Sequence, residues 1–384
     1  MLLSELSALV ESGNLPKIPK THYINNHIHT NHSFSPYTPT DAVYTAYKNG
    51  LATAGIMDHD TVAGTEEFIE AGKIIGLPVT VGVECRISMA DTPFADKRIN
   101  NPDQIGCAYV AMHGIPHASL RDVDAFFAPY REKRNQRNRE MCRRITELVR
   151  PCGLSLDFDT DVVPLSTTGI TERHVLFGLT KKITSLYDTP EKVISFIKND
   201  MGIAISAKNE QNILAGRETP EFYEYDILGV LKSDLVSKFY VPATDELPSL
   251  EEYIAMVKRA GGISAYAYLG DVTSSVTGDK KAQTFEDAYL DELFAFLKDA
   301  GFDAVTFMPT RNTPEQLDRV MALCDKLGFF QISGEDINSP RQSFICKAYD
   351  DKKFAHLVDA AYTLIDYERT AATDMKAARA LIGK

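Results

Sequence analysis

Two kinds of apolar pattern alternate along this chain. In some stretches the apolar residues recur at helical spacing; in others they form short, nearly unbroken runs. Val43, Ala46 and Tyr47 mark one side of a helix that Thr40 can cap and Gly50 can close. The run Ala52 to Met57 follows, then a helical pattern from about Val62 to Ile75, stopped by Gly76. Val79 to Val83 and Tyr109 to Met112 are further apolar runs. The same grammar returns late. Ser249 caps a helix to Ala260 that Gly261-Gly262 ends before the run Ile263 to Tyr268. Phe285 to Ala300 is helical, Gly301 stops it, and Ala304 to Met308 reads as a strand. Thr313-Pro314 opens a helix to Leu327, and Gly328 separates it from Phe329 to Ser333. Repeated helix–Gly–strand units predict parallel strands with crossover helices. Strands apolar on both sides predict a sheet covered on both faces.

The middle of the chain breaks this rhythm. From Ser119 to about Glu246 the pattern is mostly helical and more charged, with the basic stretch Arg131 to Arg150 and further helices around Arg173 to Lys182 and Pro190 to Asn199. Most arginines of that basic stretch fit a solvated helix face. The expected organisation is a helical extension over 1–21, a discontinuous β/α barrel over 22–118 and 247–349, an inserted helical cap over 119–246, and terminal helices over 350–384. The first residues carry no basic group before their apolar part and read as an amphipathic helix ended by Gly13 and Pro16, not as a leader.

Composition narrows the function classes. The 384 residues are 44% hydrophobic with a formal net charge of −12 and no long basic run, which argues against an extended nucleic-acid surface but leaves room for a small basic pocket. No apolar run reaches membrane-spanning length. Six scattered cysteines without a Cys-x-x-Cys pair read as reduced thiols, and a cytoplasmic location is expected.

The chemistry gathers where apolar runs end. His27 and His29 sit two apart near the start of the chain, so on an extended strand they share one side. By itself that pair is a weak signal, better read as two exposed strand histidines. His59, Glu84, His113 and Asp336 each fall at or just past the end of another strand candidate. In a parallel barrel such ends converge on one face. Imidazoles with carboxylates suit borderline metals, and a carboxylate can bridge two ions.

These segments resemble the PHP (polymerase and histidinol phosphatase) superfamily, in particular its small metal-dependent phosphoesterases. The family's opening D-x-H-x-H-T-x-x-S-D-G reads Asn25-Asn26-His27-Ile28-His29-Thr30-Asn31-His32-Ser33-Phe34-Ser35 here. Its T-D-H-D-T reads Met57-Asp58-His59-Asp60-Thr61, and its G-V-E reads Gly82-Val83-Glu84. Its R-N-x-R helix reads Arg134-Asn135-Gln136-Arg137, and its T-R-x-H segment reads Thr171-Glu172-Arg173-His174. The resemblance implies a distorted seven-stranded β/α barrel of mixed α/β class with an inserted helical domain. It implies two divalent metal ions (Mn, Fe or Zn): a first on His27, His29, Glu84 and Asp336, a second on Glu84, His113 and His174. Two of the three ligands of the family's third metal are replaced, by Phe34 and Asn338, leaving His59 alone. The late A-H-P motif reads Ala267-Tyr268-Leu269.

The implied activity is hydrolysis of a phosphomonoester or phosphodiester of a small, nucleotide-like substrate. In that reading His59 and Asp58 have catalytic roles as proton donor or orienter. Arg134, Arg137, Arg173, Tyr268 and Asn338 face the substrate. Two alternatives stand beside it: a protein of this fold that binds a phosphorylated ligand or partner without turnover, and a dinuclear hydrolase acting on a non-phosphate bond. No membrane association is expected.

Overall fold

The computed structural model describes residues 1–272 and 283–384. Seven strands form one sheet in chain order: β1 Ile24–Ile28, β2 Thr53–His59, β3 Val79–Ser88, β4 Cys107–His113, β5 Ile263–Ala267, β6 Ala304–Phe307 and β7 Phe330–Ser333. The sheet curls into a distorted β/α barrel. Beyond β7, Ile337 bridges Ile28 in parallel, with His29 N–H donating to Ile337 C=O at 2.9 Å and Ile337 N–H to His27 C=O at 3.1 Å. Side-chain amides complete this seam: Asn26 Nδ2 donates to the Ser333 carbonyl at 2.8 Å and Asn25 Nδ2 to the Glu335 carbonyl at 3.0 Å. The approach leaves no room at Gly334, where a Cβ would lie 2.7 Å from the His27 nitrogen.

The alternating pattern forms as expected in most places. Gly76, Gly261, Gly301 and Gly328 each take a left-handed conformation at a helix C-terminus. The first expected helix is corrected by one turn residue. It spans Pro39–Lys48 and is capped by Thr38, whose side chain accepts from Asp41 N–H, because Pro39 presets the first helical φ. The Thr40 hydroxyl instead donates to Glu67 at 2.6 Å.

A second correction matters for the site. β4 is antiparallel to both neighbours, not parallel. The connection 89–106 holds no helix, and without a crossover the chain returns antiparallel. The C-terminal end of β4 therefore lies beside the start of β5.

Side chains of β1 to β6 pack into one large cluster with the covering helices, including Phe68, Phe127, Tyr253, Phe294 and Leu357, while Ile332 of β7 packs with Ile263, Ala265, Ala304 and Leu364. A second cluster, with Ile145, Leu176, Ile197, Leu231 and Phe239, is built almost wholly from residues 141–241; Phe34 is its contribution from elsewhere. The 30-residue helix Leu120–Val149 runs between the two: Val123 and Phe127 join the first cluster, Met141 and Ile145 the second. Among the described residues no helix is long and apolar enough to cross a membrane. All six cysteines are free thiols.

Candidate metal centre

The ends of β1, β2 and β3 and the loop after β7 bring five ligand-type side chains together. The β1–β2 register shifts between Asn25 and Ile28. Such an irregularity re-aims side chains at a sheet rim. His59 lies directly across from Glu84 on the next strand, so both face one side. Glu84 Oε2 lies 3.1 Å from His59 Nδ1, 3.6 Å from His27 Nε2 and 3.7 Å from His29 Nε2. Asp336 Oδ1 lies 3.3 Å from His29 Nε2. Two sets emerge, His27–His29–Asp336 and His29–His59–Glu84, each with donor atoms within 4.8 Å of one another.

The electrostatics fit a cation. His27 Nε2 and His29 Nε2 are buried without a hydrogen-bond partner, although both aim at carboxylates. Buried polar atoms rarely stay unpaired. Burial alone disfavours protonating His27, but Glu84 outweighs it and raises the pKa. Burial pushes the Asp336 carboxyl up, yet His29 beside it, with His27 and Arg173, holds it well below the usual range. His59 is pushed well below neutrality by burial, with His29 and Arg134 adding to the effect, so its imidazole is neutral and able to ligate. The donor set therefore suits a divalent ion.

Support behind the ligands comes from Asp58, which is 1% exposed. Its carboxylate accepts from Thr30 N–H at 2.7 Å, Thr30 Oγ1 at 2.6 Å and Ser33 Oγ at 2.6 Å, and Ser33 Oγ contacts His29 Nδ1 at 3.3 Å. The structure thus places Asp58 behind His29, where it can orient that ring. Asn338 is likewise engaged, donating to Asp336 at 2.6 Å while lining the cleft.

Three expected positions are not brought to this cluster. His113 pairs across from Ile263, the first residue of β5, because β4 runs antiparallel. Its buried Nε2 lacks a partner and burial lowers its pKa to about 3, with His27 nearby. His174 is used locally at a helix start: its Nδ1 accepts the Thr171 N–H at 3.0 Å, and its ring meets Phe34 edge-on at 4.9 Å. Tyr268 is 2% exposed and donates to Asp287 at 2.6 Å, away from the cleft. Neither His113 nor His174 belongs to the two ligand-competent sets.

A small pocket of about 50 Å³ adjoins the metal cluster, lined by Phe34, His59, Arg86, Tyr109, Arg134, Thr171, Glu172, Arg173 and Asn338. Arg134 and Arg173 reach it. Arg137 does not: its Nε donates to Glu246 at 2.6 Å and its Nη1 to the Val241 carbonyl at 2.8 Å. Arg134 pairs closely with Asp60, a non-glycine residue at φ 52°. Burial pushes Glu172 up, but Arg86, Arg137 and Arg173 pull it down to about 2. Sequence reasoning missed Arg86, Tyr109 and Glu246. Arg86 was within reach, since it stands two residues past Glu84 on the same side of β3. Tyr109 required the direction of β4.

Known proteins agree with this architecture. Residues 25–161 match the PHP domain family. Over 58 residues the chain is 38% identical to a 5′-3′ exoribonuclease of Haemophilus influenzae; the match covers 15% of this chain and only 21% of that relative. The crystal structure of a Bifidobacterium adolescentis protein assigned to the metal-dependent phosphoesterases has a TM-score of 0.55 at 22% identity, covering 88% of this chain and 98% of the other. An amidohydrolase of Chromobacterium violaceum, with bound sulfate and no metal, has a TM-score of 0.54 at 18% identity, covering 84% and 90%. At these identities the two structures show the fold. Residues 25–161, which hold His27, His29, His59 and Glu84, are thus similar to the PHP domain, and the chain shares the fold of these two structures.

Proposed function

We propose that this chain is a metal-dependent hydrolase that cleaves a phosphoester of a small, nucleotide-sized substrate. The observation that carries the reading is the pair of buried, unpartnered imidazole nitrogens of His27 and His29, aimed at Glu84 and Asp336 beside an arginine-lined pocket. In this reading His27, His29 and Asp336 hold one ion, and Glu84 with His29 and His59 offers a second position. His59 moves from a proton donor to a ligand, and His113 and His174 leave the ligand set. A divalent ion in such a site supplies Lewis acidity toward a phosphoryl oxygen and lowers the pKa of water.

The chain's own residues do the rest. Asp58, through Ser33, fixes the His29 ring so that Nε2 faces the cleft. Asn338 orients Asp336. Arg134 and Arg173 offer the substrate phosphate charge-assisted hydrogen bonds. Residues 119–246 form a cap that shields the cleft from water. The likeness to a phosphoesterase fold and the local match to an exoribonuclease support a phosphoester substrate.

A second reading, hydrolysis of a non-phosphate bond, draws support from the amidohydrolase of the same fold. The test is a panel of phosphomonoesters, cyclic nucleotides, short oligonucleotides and N-acyl amides, assayed with Mn²⁺ and with chelator. Metal-dependent release of phosphate or nucleotide, lost in His29→Ala, is expected. Amide cleavage without phosphoester cleavage would replace this proposal by the second reading.

A further inference from the structure

We infer that Arg86 is a substrate-binding residue that seats a phosphate group of the substrate, with Glu246 as its positioning residue. The inference rests on the phosphoester reading above and deepens it from two features, a charge imbalance and the arginine lining of a small pocket.

Arg86 follows Glu84 by two residues on β3, so its side chain leaves the same side of the sheet as the metal cluster. It is 6% exposed and lines the pocket together with His59, Tyr109 and Arg134. Behind the pocket stands Glu246, 3% exposed. One Glu246 oxygen accepts from Arg86 Nη2 at 2.6 Å and faces Arg134 Nε at 3.5 Å; the other accepts from Arg137 Nε at 2.6 Å. A single carboxylate thus orders three guanidinium groups, and Asp60 pairs with Arg134 from the other side.

Three buried arginines against two carboxylates leave one positive charge in excess. Arg134 Nε and Arg137 Nη2 are buried without a hydrogen-bond partner. Arg86 commits only Nη2, and its Nε and Nη1 make no hydrogen bond among the described residues. Glu172 answers part of the excess from the opposite wall, and Arg173 beside it restores the positive balance. Excess buried cationic charge is costly without an acceptor, and a ligand oxyanion is the acceptor that fits.

The pocket is small, about 50 Å³, and Arg86, Arg134 and Arg173 line it beside His59 of the metal cluster. A compact, multiply charged oxyanion such as a phosphate group matches that lining.

The test uses the full chain, as purified and after chelation, with inorganic phosphate as probe. Calorimetry reads binding, and thermal denaturation confirms folding. Arg86→Gln should weaken phosphate binding about ten- to a hundredfold, the range for losing hydrogen bonds to a charged group. Arg86→Lys keeps a charge opposite Glu246 and hence the fold, but loses the planar fork; it should weaken binding about threefold or more. If the Gln variant fails to fold, the Lys variant decides. In the metal-loaded protein, Arg86→Gln should raise KM for a phosphoester more than it lowers kcat, a split that a purely structural role would not produce. Unchanged phosphate affinity in a folded Arg86 variant, or no phosphate binding by the wild type, overturns the inference. Arg86-dependent phosphate binding without any phosphoester turnover would keep the seat and reject the hydrolase reading; turnover without Arg86 dependence would do the reverse.

Discussion

Replacing Asp58 by Asn should loosen both the fold and the metal centre. The Asp58 carboxylate is buried and accepts three hydrogen bonds of 2.6–2.7 Å, two from Thr30 and one from Ser33. Asparagine keeps the shape and can still meet the same partners, since the Thr30 hydroxyl is able to turn and accept. What is lost is the charge. Hydrogen bonds to a charged group contribute about 1.5–3 kcal/mol each and neutral ones about 0.5–1.5. A loss of roughly 1 kcal/mol per bond over three bonds predicts a destabilisation of about 3 kcal/mol. Metal binding should suffer too, because Ser33 passes this hold to His29 Nδ1 at 3.3 Å. Losing such a partner behind a ligand lowers metal affinity about 10- to 100-fold. Urea denaturation of chelated protein measures the first effect and Mn²⁺ titration the second. A variant within about 0.5 kcal/mol of wild type, the usual range for an unimportant surface change, and with unchanged metal affinity, would refute the assignment of Asp58 as the fastener of His29.

Other consequences are open to measurement. Glu84→Gln should lose most bound metal while staying folded, because an amide is a poor ligand for ions that three imidazoles and a carboxylate share; elemental analysis of protein purified without chelator checks this. Phe34 packs among His174, Phe177 and Tyr225, so Phe34→Ala should cost about 3–5 kcal/mol, seen as a lowered denaturation midpoint, and Phe34→Asp should unsettle the cap instead of creating a further metal ligand. His113 stays neutral in the fold down to about 3 but takes up a proton near 6.5 when unfolded. Between those values the unfolded state binds the extra proton, so stability falls as pH falls, by up to about 1.4 kcal/mol per pH unit from this group. Burial holds His174 at about 3 and acts in the same sense, whereas buried Glu286, raised to about 7, opposes them between its unfolded value and 7. Comparing His113→Gln with wild type isolates the one-proton difference: denaturation series at pH 6, 5 and 4 should show a shallower loss in the variant.

The order of elements, their glycine stops and the histidines at the rim were legible in the sequence because they depend on local chemistry. Helical and strand periodicities, αL glycines and the His27-x-His29 spacing all act within a few residues of chain. His27, His29, His59, Glu84 and Asp336 stand at strand ends that could be counted along the chain, and the fold gathers them. Their grouping into ligand sets was not legible. His113 looked equivalent to the others until β4 proved antiparallel, and that direction follows from the missing crossover helix between β3 and β4, a feature of connection and not of composition. His174 carried the family's spacing, yet the local helix start and Phe34 claim its ring. Arg86, Arg137 and Glu246 lie up to 160 residues apart in sequence, as Arg86 and Glu246 do, and nothing local marks them as partners. Only tertiary structure could decide that one buried carboxylate collects three guanidinium groups, because burying such charges is tolerable solely where distant segments meet to pair them.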